Sequence, residues 1–364
     1  MAKIKSCQKC LLPGNVPDAN LDQANVCGFC RDAEQGKKPP HYHPEEERDK
    51  LRQELDAVLK TTKGQGKYDC VICLSGGKDS AYLLYKIKKE YPNLRILTAS
   101  YGMYFMQEVA KQNVTKLVNQ LDVDHIFVTP HSGFQKKFYQ YLLENRHAKG
   151  YQTGLFDQVL TDDLKGLCAF CSQVLQGTFI KFAFEHQIPL VLVGLSPAQP
   201  VSLFFERDAN RDLTPSFMQK PPFTEEDRAY MWNGTQYPAG TKFPRMLFPF
   251  HVWDYNTDKI RAELAQEGLL ETKKSASATT NCMLNLVMTH IDYNIDGYFN
   301  MLPQMCYMGR HGFVGDKEKL EWQKIAKVVS FWCPKLVHPD IRKIEKILGI
   351  DVGKIIAKYK RSGK

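Results

Sequence analysis

Residues 70–80 read CVICLSGGKDS, and this stretch decides the fold. The apolar run Val71 to Leu74 has the length and β-branched character of a buried strand, and it ends at Ser75. A helix begins near Asp79 with DSAYLLYKIKKEY, so Ser75, Gly76, Gly77 and Lys78 form the turn between strand and helix. Gly76 and Gly77 allow positive φ and let backbone amides approach a ligand, while the helix N-terminus supplies N–H groups and partial positive charge. Such a turn suits an anion. Lys78 adds a positive charge, Ser75 and Ser80 add hydroxyl donors, and Asp79 offers the oxygens that a phosphate-bound Mg²⁺ uses. The simpler alternative is a helix cap in which Asp79 or Ser80 satisfies backbone donors.

Outward from the turn, strand and helix patterns alternate. RILTASY (95–101), HIFVTP (125–130) and PLVLVGL (189–195) read as further strands, with MQEVAKQNVTKLVNQL (106–121) and GTFIKFAFEHQ (177–187) as helices between them. This order predicts an α/β fold with a parallel, doubly wound sheet whose ligand-binding loops follow the strands along one edge. Ser100 and Tyr101 end the second strand on that edge, and Asn113 lies in the helix that follows. Around the core at 67–200 the chain divides into a four-cysteine module at 1–45, a linking helix at 46–66, an insertion at 201–250 and a mainly helical region at 251–364. The insertion is rich in Pro, Phe and Arg with weak periodicity, and it reads as a segment that covers or shapes the site.

With 364 residues, the chain has material for two or three structural units at about 100–200 residues each. No run reaches the roughly 18 apolar residues of a membrane span, and MAKIKSCQKC has no apolar leader, so a cytoplasmic location is expected. The net charge of +9 suits an anionic partner, and KIIAKYKRSGK at the end carries part of it. Nucleic acid is one such partner, but the aromatics are not interleaved with Lys and Arg as a single-strand platform requires. A zinc-containing nucleic-acid-binding protein therefore stands as the alternative of another class.

The cysteines fall in two constellations. Cys7 and Cys10 make one CxxC and Cys27 and Cys30 a second, with sixteen residues between the pairs, the spacing of a structural zinc site with four thiolate ligands. Four thiolates leave no open coordination position, which argues against a catalytic ion there. Cys168 and Cys171 form a third pair in LCAFC, and Cys282 follows 111 residues after Cys171. This second set reads either as metal-binding or as a buried pair that packs, with His186 or Cys282 as the helper for a second zinc. Cys70, Cys73, Cys306 and Cys333 suggest small hydrophobes and no chemistry.

The loop is not a Walker A sequence, which needs four residues between its glycine and Gly-Lys. SGGKDS instead resembles the signature of the PP-loop ATP pyrophosphatase superfamily, which splits ATP between the α and β phosphates and adenylates a carbonyl or carboxyl oxygen. That resemblance implies a HUP-like core. It implies ATP and Mg²⁺ at Ser75, Gly76, Gly77, Lys78, Asp79 and Ser80, with Lys78 and Asp79 catalytic and adenine near Ser100 and Tyr101. Cys168, Cys171 and Cys282 resemble the ligand set of the superfamily's iron–sulfur-dependent thiolases, which implies a catalytic [4Fe-4S] cluster and sulfur transfer to tRNA or a small molecule.

From end to end, the chain resembles the N-acetyl sugar amidotransferases of lipopolysaccharide biosynthesis. CQKCLLPG, VCGFCRDAE, YDCVICLSGGKDS, LCAFC, NCMLNLVMTHIDYNIDGYF and RHGFVGDKEKLEWQKIA carry that likeness. It implies ATP-dependent amidation of the acetamido group of a nucleotide-linked sugar, with ammonia from a separate glutaminase or other ammonia-delivering subunit. No cysteine of this chain sits in a nucleophile-elbow pattern that would make its own ammonia. Near Gly194, where the resemblance leads one to expect an acidic residue, the sequence is VGLSPAQP.

Overall fold

A computed structural model describes residues 5–37, 45–102, 104–145, 167–197, 205–269, 282–298, 302–315 and 338–361. The stretch KEKLEWQKIAKVV, within the region expected to be mainly helical, and the cysteine at 333 lie outside them.

The elements follow one another as α1 (Gly28–Glu34), α2 (Glu45–Thr61), β1 (Cys70–Cys73), α3 (Lys78–Glu90), β2 (Ile96–Tyr101), α4 (Glu108–Gln120), β3 (Asp124–Val128), α5 (Ser132–Glu144), α6 (Leu167–Glu185) and β4 (Leu190–Val193). After these come β5 (Glu206–Arg207), α7 (Glu225–Arg228), β6 (Arg245–Leu247), α8 (Thr257–Gln266), α9 (Leu284–Ile295), α10 (Leu302–Arg310), α11 (Pro339–Leu348) and α12 (Val352–Arg361). Among the described residues no helix is long and apolar enough to cross a membrane.

The strands form one six-stranded sheet in the order β3-β2-β1-β4-β6-β5, parallel except at β5. Both faces are covered, so the central strands read as unbroken apolar runs rather than alternating ones. Val71 and Cys73 face the core shared with α5, α6, α9, α11 and α12, whereas Cys70, Ile72 and Leu74 face the core shared with α2, α3, α4 and α8. The sequence reading of a doubly wound α/β sheet therefore holds.

Two stretches take roles their sequence did not announce. The 46–66 stretch, read as a linking helix, is helical as far as Thr61 in α2, which seats Leu55 and Leu59 in the second core. The expected insertion at 201–250 supplies β6, which pairs in parallel with β4, and β5 beyond it, so the sheet runs on past Val193. Its described aromatics pack largely on the helices, while Phe250 at its end packs against Tyr255 beside the loop. Trp232, Tyr237 and Phe243 pack around Phe184 of α6, and Phe217 and Phe223 pack against Phe138 and Tyr141 of α5. Gly177 allows that approach, because a Cβ there would lie 2.9 Å from the Trp232 Cβ. A three-residue strand among irregular turns has too little periodicity to be read from sequence.

Candidate active site and metal centre

β1 sits where the sheet reverses direction, with β2 on one side and β4 on the other. The crevice beyond the carboxyl ends of β1 and β4 is the topological switch point of an open α/β sheet, the usual place for a ligand. Ser75 to Gly77 lie there. Gly76 has φ +77°, and a Cβ on it would stand 2.3 Å from the Ala110 carbonyl oxygen of α4, so both conformation and space demand glycine. Gly77, expected to share that freedom, has an ordinary φ of −94° and is the N-cap of α3. Across the crevice, Gly194 at the end of β4 lets the two elements close, since a Cβ there would lie 3.0 Å from the Asp79 carbonyl oxygen.

No side chain caps α3, so the simple helix-cap alternative is not what the loop does. The Ser80 hydroxyl instead accepts from the Ser75 amide at 3.1 Å and donates to the Gly77 carbonyl at 3.2 Å, cross-bracing the turn. Asn113 Nδ2 donates to the Gly76 carbonyl at 3.1 Å from α4. With the turn braced from outside, the first-turn amides of α3 point at the crevice with the partial positive charge of a helix N-terminus.

Lys78 and Asp79 form a close pair, with Nζ 2.9 Å from both carboxylate oxygens. A third partner comes from far along the chain. The Tyr255 hydroxyl donates to Asp79 Oδ1 at 2.7 Å and receives Lys78 Nζ at 3.1 Å. Nothing in HVWDYNTD marks this tyrosine in the sequence. Its ring is held by Phe250 and Phe313.

The side chains of Ser100 and Tyr101, the residues expected near adenine, are both buried. The Ser100 hydroxyl is fully buried and donates to the Leu74 carbonyl at 2.7 Å, which fixes the strand leading into the loop. Tyr101 is buried beside Cys171, and burial pushes its phenol up. Both side chains lie within the sheet layer because parallel strands covered on two faces bury even their last residues.

Cys168 and Cys171 lie on the first turn of α6, and Cys282 lies opposite in a β-bridge with Met106, just before α9. The fold thus brings residues 111 positions apart to one place. Cys171 lies within electrostatic reach of Cys168, Cys282 and Tyr139, whose hydroxyl lies 3.2 Å from the Cys171 sulfur. Burial pushes the Cys282 thiol up to about 12, with Cys171 adding to the effect. Burial also raises Cys171, against the opposing hydrogen bond of Tyr139. Thiols held so high are protonated and poor nucleophiles unless a metal displaces the proton. Among the described residues these three do not draw close enough to grip one ion, which distinguishes them from the other set.

Cys7, Cys10, Cys27 and Cys30 form the other set. Their sulfurs all lie within 4.8 Å of one another, with Cys7 to Cys30 at 3.8 Å and Cys10 to Cys27 at 3.6 Å. A tetrahedral ion with metal–sulfur bonds of about 2.3 Å separates its sulfurs by about 3.8 Å, so the spacing fits one ion rather than a cluster, whose cysteines stand further apart. The Cys27 amide donates to the Cys7 sulfur at 3.3 Å and the Cys30 amide to the Cys27 sulfur at 3.4 Å, fixing the thiolates in place. Asp18, Asn20 and Asn25 take positive φ in the turns around them, the residue types that tolerate it.

The parallel six-stranded sheet, the glycine turn at its switch point and the Lys78–Asp79 pair define an α/β core with a phosphate-type loop between β1 and α3. Residues 69–147, which hold the loop, match the family described as queuosine biosynthesis protein QueC. A curated relative, the uncharacterized protein MJ1599 of Methanocaldococcus jannaschii, is 32% identical over 89 residues. That match spans 24% of this chain and 30% of the relative. Solved structures with similar architecture include the U34-tRNA thiolase NcsA of Methanococcus maripaludis with its [4Fe-4S] cluster, at 15% identity, 85% and 87% coverage of the two chains and a TM-score of 0.35. The NH3-dependent NAD synthetase of Campylobacter jejuni is similar at 11% identity, 81% and 99% coverage and a TM-score of 0.35. The NMN synthetase of Francisella tularensis gives 13%, 80% and 97%, and 0.34.

Proposed function

We propose that this chain uses ATP to adenylate a carbonyl oxygen and then transfers nitrogen to the activated carbon, the acceptor being the N-acetyl group of a nucleotide-linked sugar. The observation that carries the adenylation is the glycine turn at the switch point, with Lys78 and Asp79 at its rim. The acetamido oxygen attacks the α-phosphorus of ATP and pyrophosphate leaves. Ammonia then adds to the carbon, AMP departs with the oxygen, and an acetamidino group remains. The α3 amides and Lys78 would hold the departing pyrophosphate, developing charge being stabilised by donors already in place. For that, Lys78 must leave Asp79, and the freed carboxylate would hold Mg²⁺, which supplies charge neutralisation at the phosphates. Tyr255, bonded to both, would keep the two from drifting during that exchange. Ammonia would come from a glutaminase or other ammonia-delivering subunit. The four-cysteine set would hold a structural Zn²⁺.

A second reading is sulfur transfer to tRNA or a small molecule, with Cys168, Cys171 and Cys282 holding a [4Fe-4S] cluster. It is favoured by one observation, the approach of these three residues to one another near Tyr101 at the end of β2.

The test is metal and sulfide analysis of protein prepared without oxygen, followed by AMP and pyrophosphate assay with nucleotide-linked N-acetyl sugars and ammonia. Zinc near one per chain, no acid-labile sulfide and ammonia-dependent AMP release are the expected result. A brown protein whose colour is lost in Cys282→Ala would sink the nitrogen reading, and ATP turnover unaffected by Lys78→Ala would sink adenylation at this loop.

A further inference from the structure

The four-cysteine module looks self-contained in sequence, yet its inner surface is completed by the C-terminal region. Leu12, Val16 and Ala19 share a small core with Tyr298, Leu302 and Cys306. Asn15 Nδ2 donates to the Asp296 carbonyl at 2.6 Å. Arg310, in the last turn of α10, donates Nη1 to the Cys10 sulfur at 3.4 Å. Its guanidinium also lies 5.4 Å from the Phe29 ring of the module and 5.9 Å from the Tyr307 ring of its own helix. One turn earlier, the buried Cys306 places its thiol against that of Cys10.

A divalent ion with four thiolates carries two net negative charges. Cys7, Cys10, Cys27 and Cys30 are all nearly inaccessible to water, so that charge cannot rely on solvent. A buried uncompensated charge is costly, and groups that hydrogen-bond to the ligands of a metal normally tune how tightly it is held. Lys9, the neighbouring cation on the module itself, is exposed and tied to Glu34. Arg310 is a half-buried cation that bonds directly to a ligand sulfur, and its planar group can stack on Phe29 while it does so.

We propose that Arg310 is part of the metal centre: it offsets the thiolate charge through Cys10, and the bound ion thereby clamps residues 5–34 onto helix α10. The proposal rests on the reading that the four cysteines hold a single ion. It makes metal retention depend on a residue 300 positions from the ligand it touches.

The experiment uses the full chain. Zinc per chain is measured as purified, and the rate of zinc transfer to a chromogenic chelator is then followed. Wild type should hold one zinc and release it slowly. Arg310→Ala and the near-isosteric, uncharged Arg310→Gln should release it at least about tenfold faster, the range seen when residues supporting metal ligands are lost. Arg310→Lys, which keeps the charge without the planar group, should fall between. Asn15→Ala removes a docking bond that does not touch sulfur and should stay within about twofold of wild type. Hydrogen exchange at Leu302–Arg310 gives a second readout, since its protection should drop when the metal is stripped from wild type. Wild-type release rates in both neutral variants, or α10 protection unchanged by metal removal, would overturn the clamp. A wild-type chain without stoichiometric metal would instead refute the ion at the four cysteines itself.

Discussion

The loop at Ser75–Ser80 and the knot at Cys7–Cys30 are both short motifs, but they are held in opposite ways. In the cysteine knot the four sulfurs, the amide-to-sulfur bonds and the turn residues all come from one stretch, while the C-terminal region adds apolar packing and Arg310 against Cys10. The loop carries its chemistry but not its support. Asn113 and Ala110 come from α4, Gly194 from β4 and Tyr255 from the loop before α8. A site made by a bound ion can be local, because metal–ligand free energy replaces the core it lacks. One made of backbone amides must be held rigid by its surroundings, because its effect depends on donors being fixed before the charge develops.

The contrast is broken most directly at the loop. Lys78→Ala should lower pyrophosphate release from ATP by about 10²-fold or more, the loss typical of removing one charge-stabilising donor, while the melting temperature stays near that of wild type. Asp79→Ala should match it, and undiminished release in either would remove the loop from the chemistry. Stripping the metal should have the opposite profile. Exchange protection of residues 5–34 should collapse while the amides of β1, β2 and β4 remain protected, and loss of protection in both regions together would erase the distinction.

Gly76→Ala should impair the loop through its backbone alone. The left-handed conformation costs about 1–2 kcal/mol for a residue with a Cβ, and the 2.3 Å approach to Ala110 adds a clash, so the midpoint of urea unfolding should fall together with nucleotide binding. Tyr255→Phe keeps the ring packing and removes one hydroxyl bonded to a charged pair. A loss of about 1 kcal/mol, roughly a fivefold drop in kcat/KM with an unchanged melting temperature, is expected.

The smallest effect lies outside both regions, at the edge strand β3. Burial lowers His125 to about 4, with its Nδ1 against the Thr98 hydroxyl at 2.9 Å. Because the unfolded chain protonates near 6.5 and the folded chain only near 4, the unfolded state binds more protons in that window. Stability is therefore undiminished above about pH 6.5 and declines as the pH falls toward 4. Thermal melts of His125→Gln should be flatter over that range, and equal slopes in the two proteins would assign the acid response elsewhere.

Much of this was legible because some signals are local. The run Val71 to Leu74, the glycine pair and the lysine after it specify a strand, a turn and a helix start within a dozen residues, and CxxC spacing dictates where two sulfurs can point. Ser100 and Tyr101 show the limit. Their position at a strand end suggested a ligand surface, but side chains at the end of a strand covered on both faces are turned into the layers on either side. The aromatic stretch at 201–250 shows it again, since packing against α5 and α6 needs no period.

By itself, then, the sequence determined the α/β alternation, the phosphate-type turn and the four-sulfur knot, because each is written in neighbours along the chain. Only the tertiary structure decided that β6 extends the sheet, that Tyr255 joins Lys78 and Asp79, that Cys282 meets Cys171, and that Arg310 reaches Cys10. These pairings span between 55 and 300 positions, read as β4 Leu190 to β6 Arg245 at the short end and Cys10 to Arg310 at the long. Such contacts follow from how buried faces stack, and no local pattern encodes which distant residue a packed face will meet.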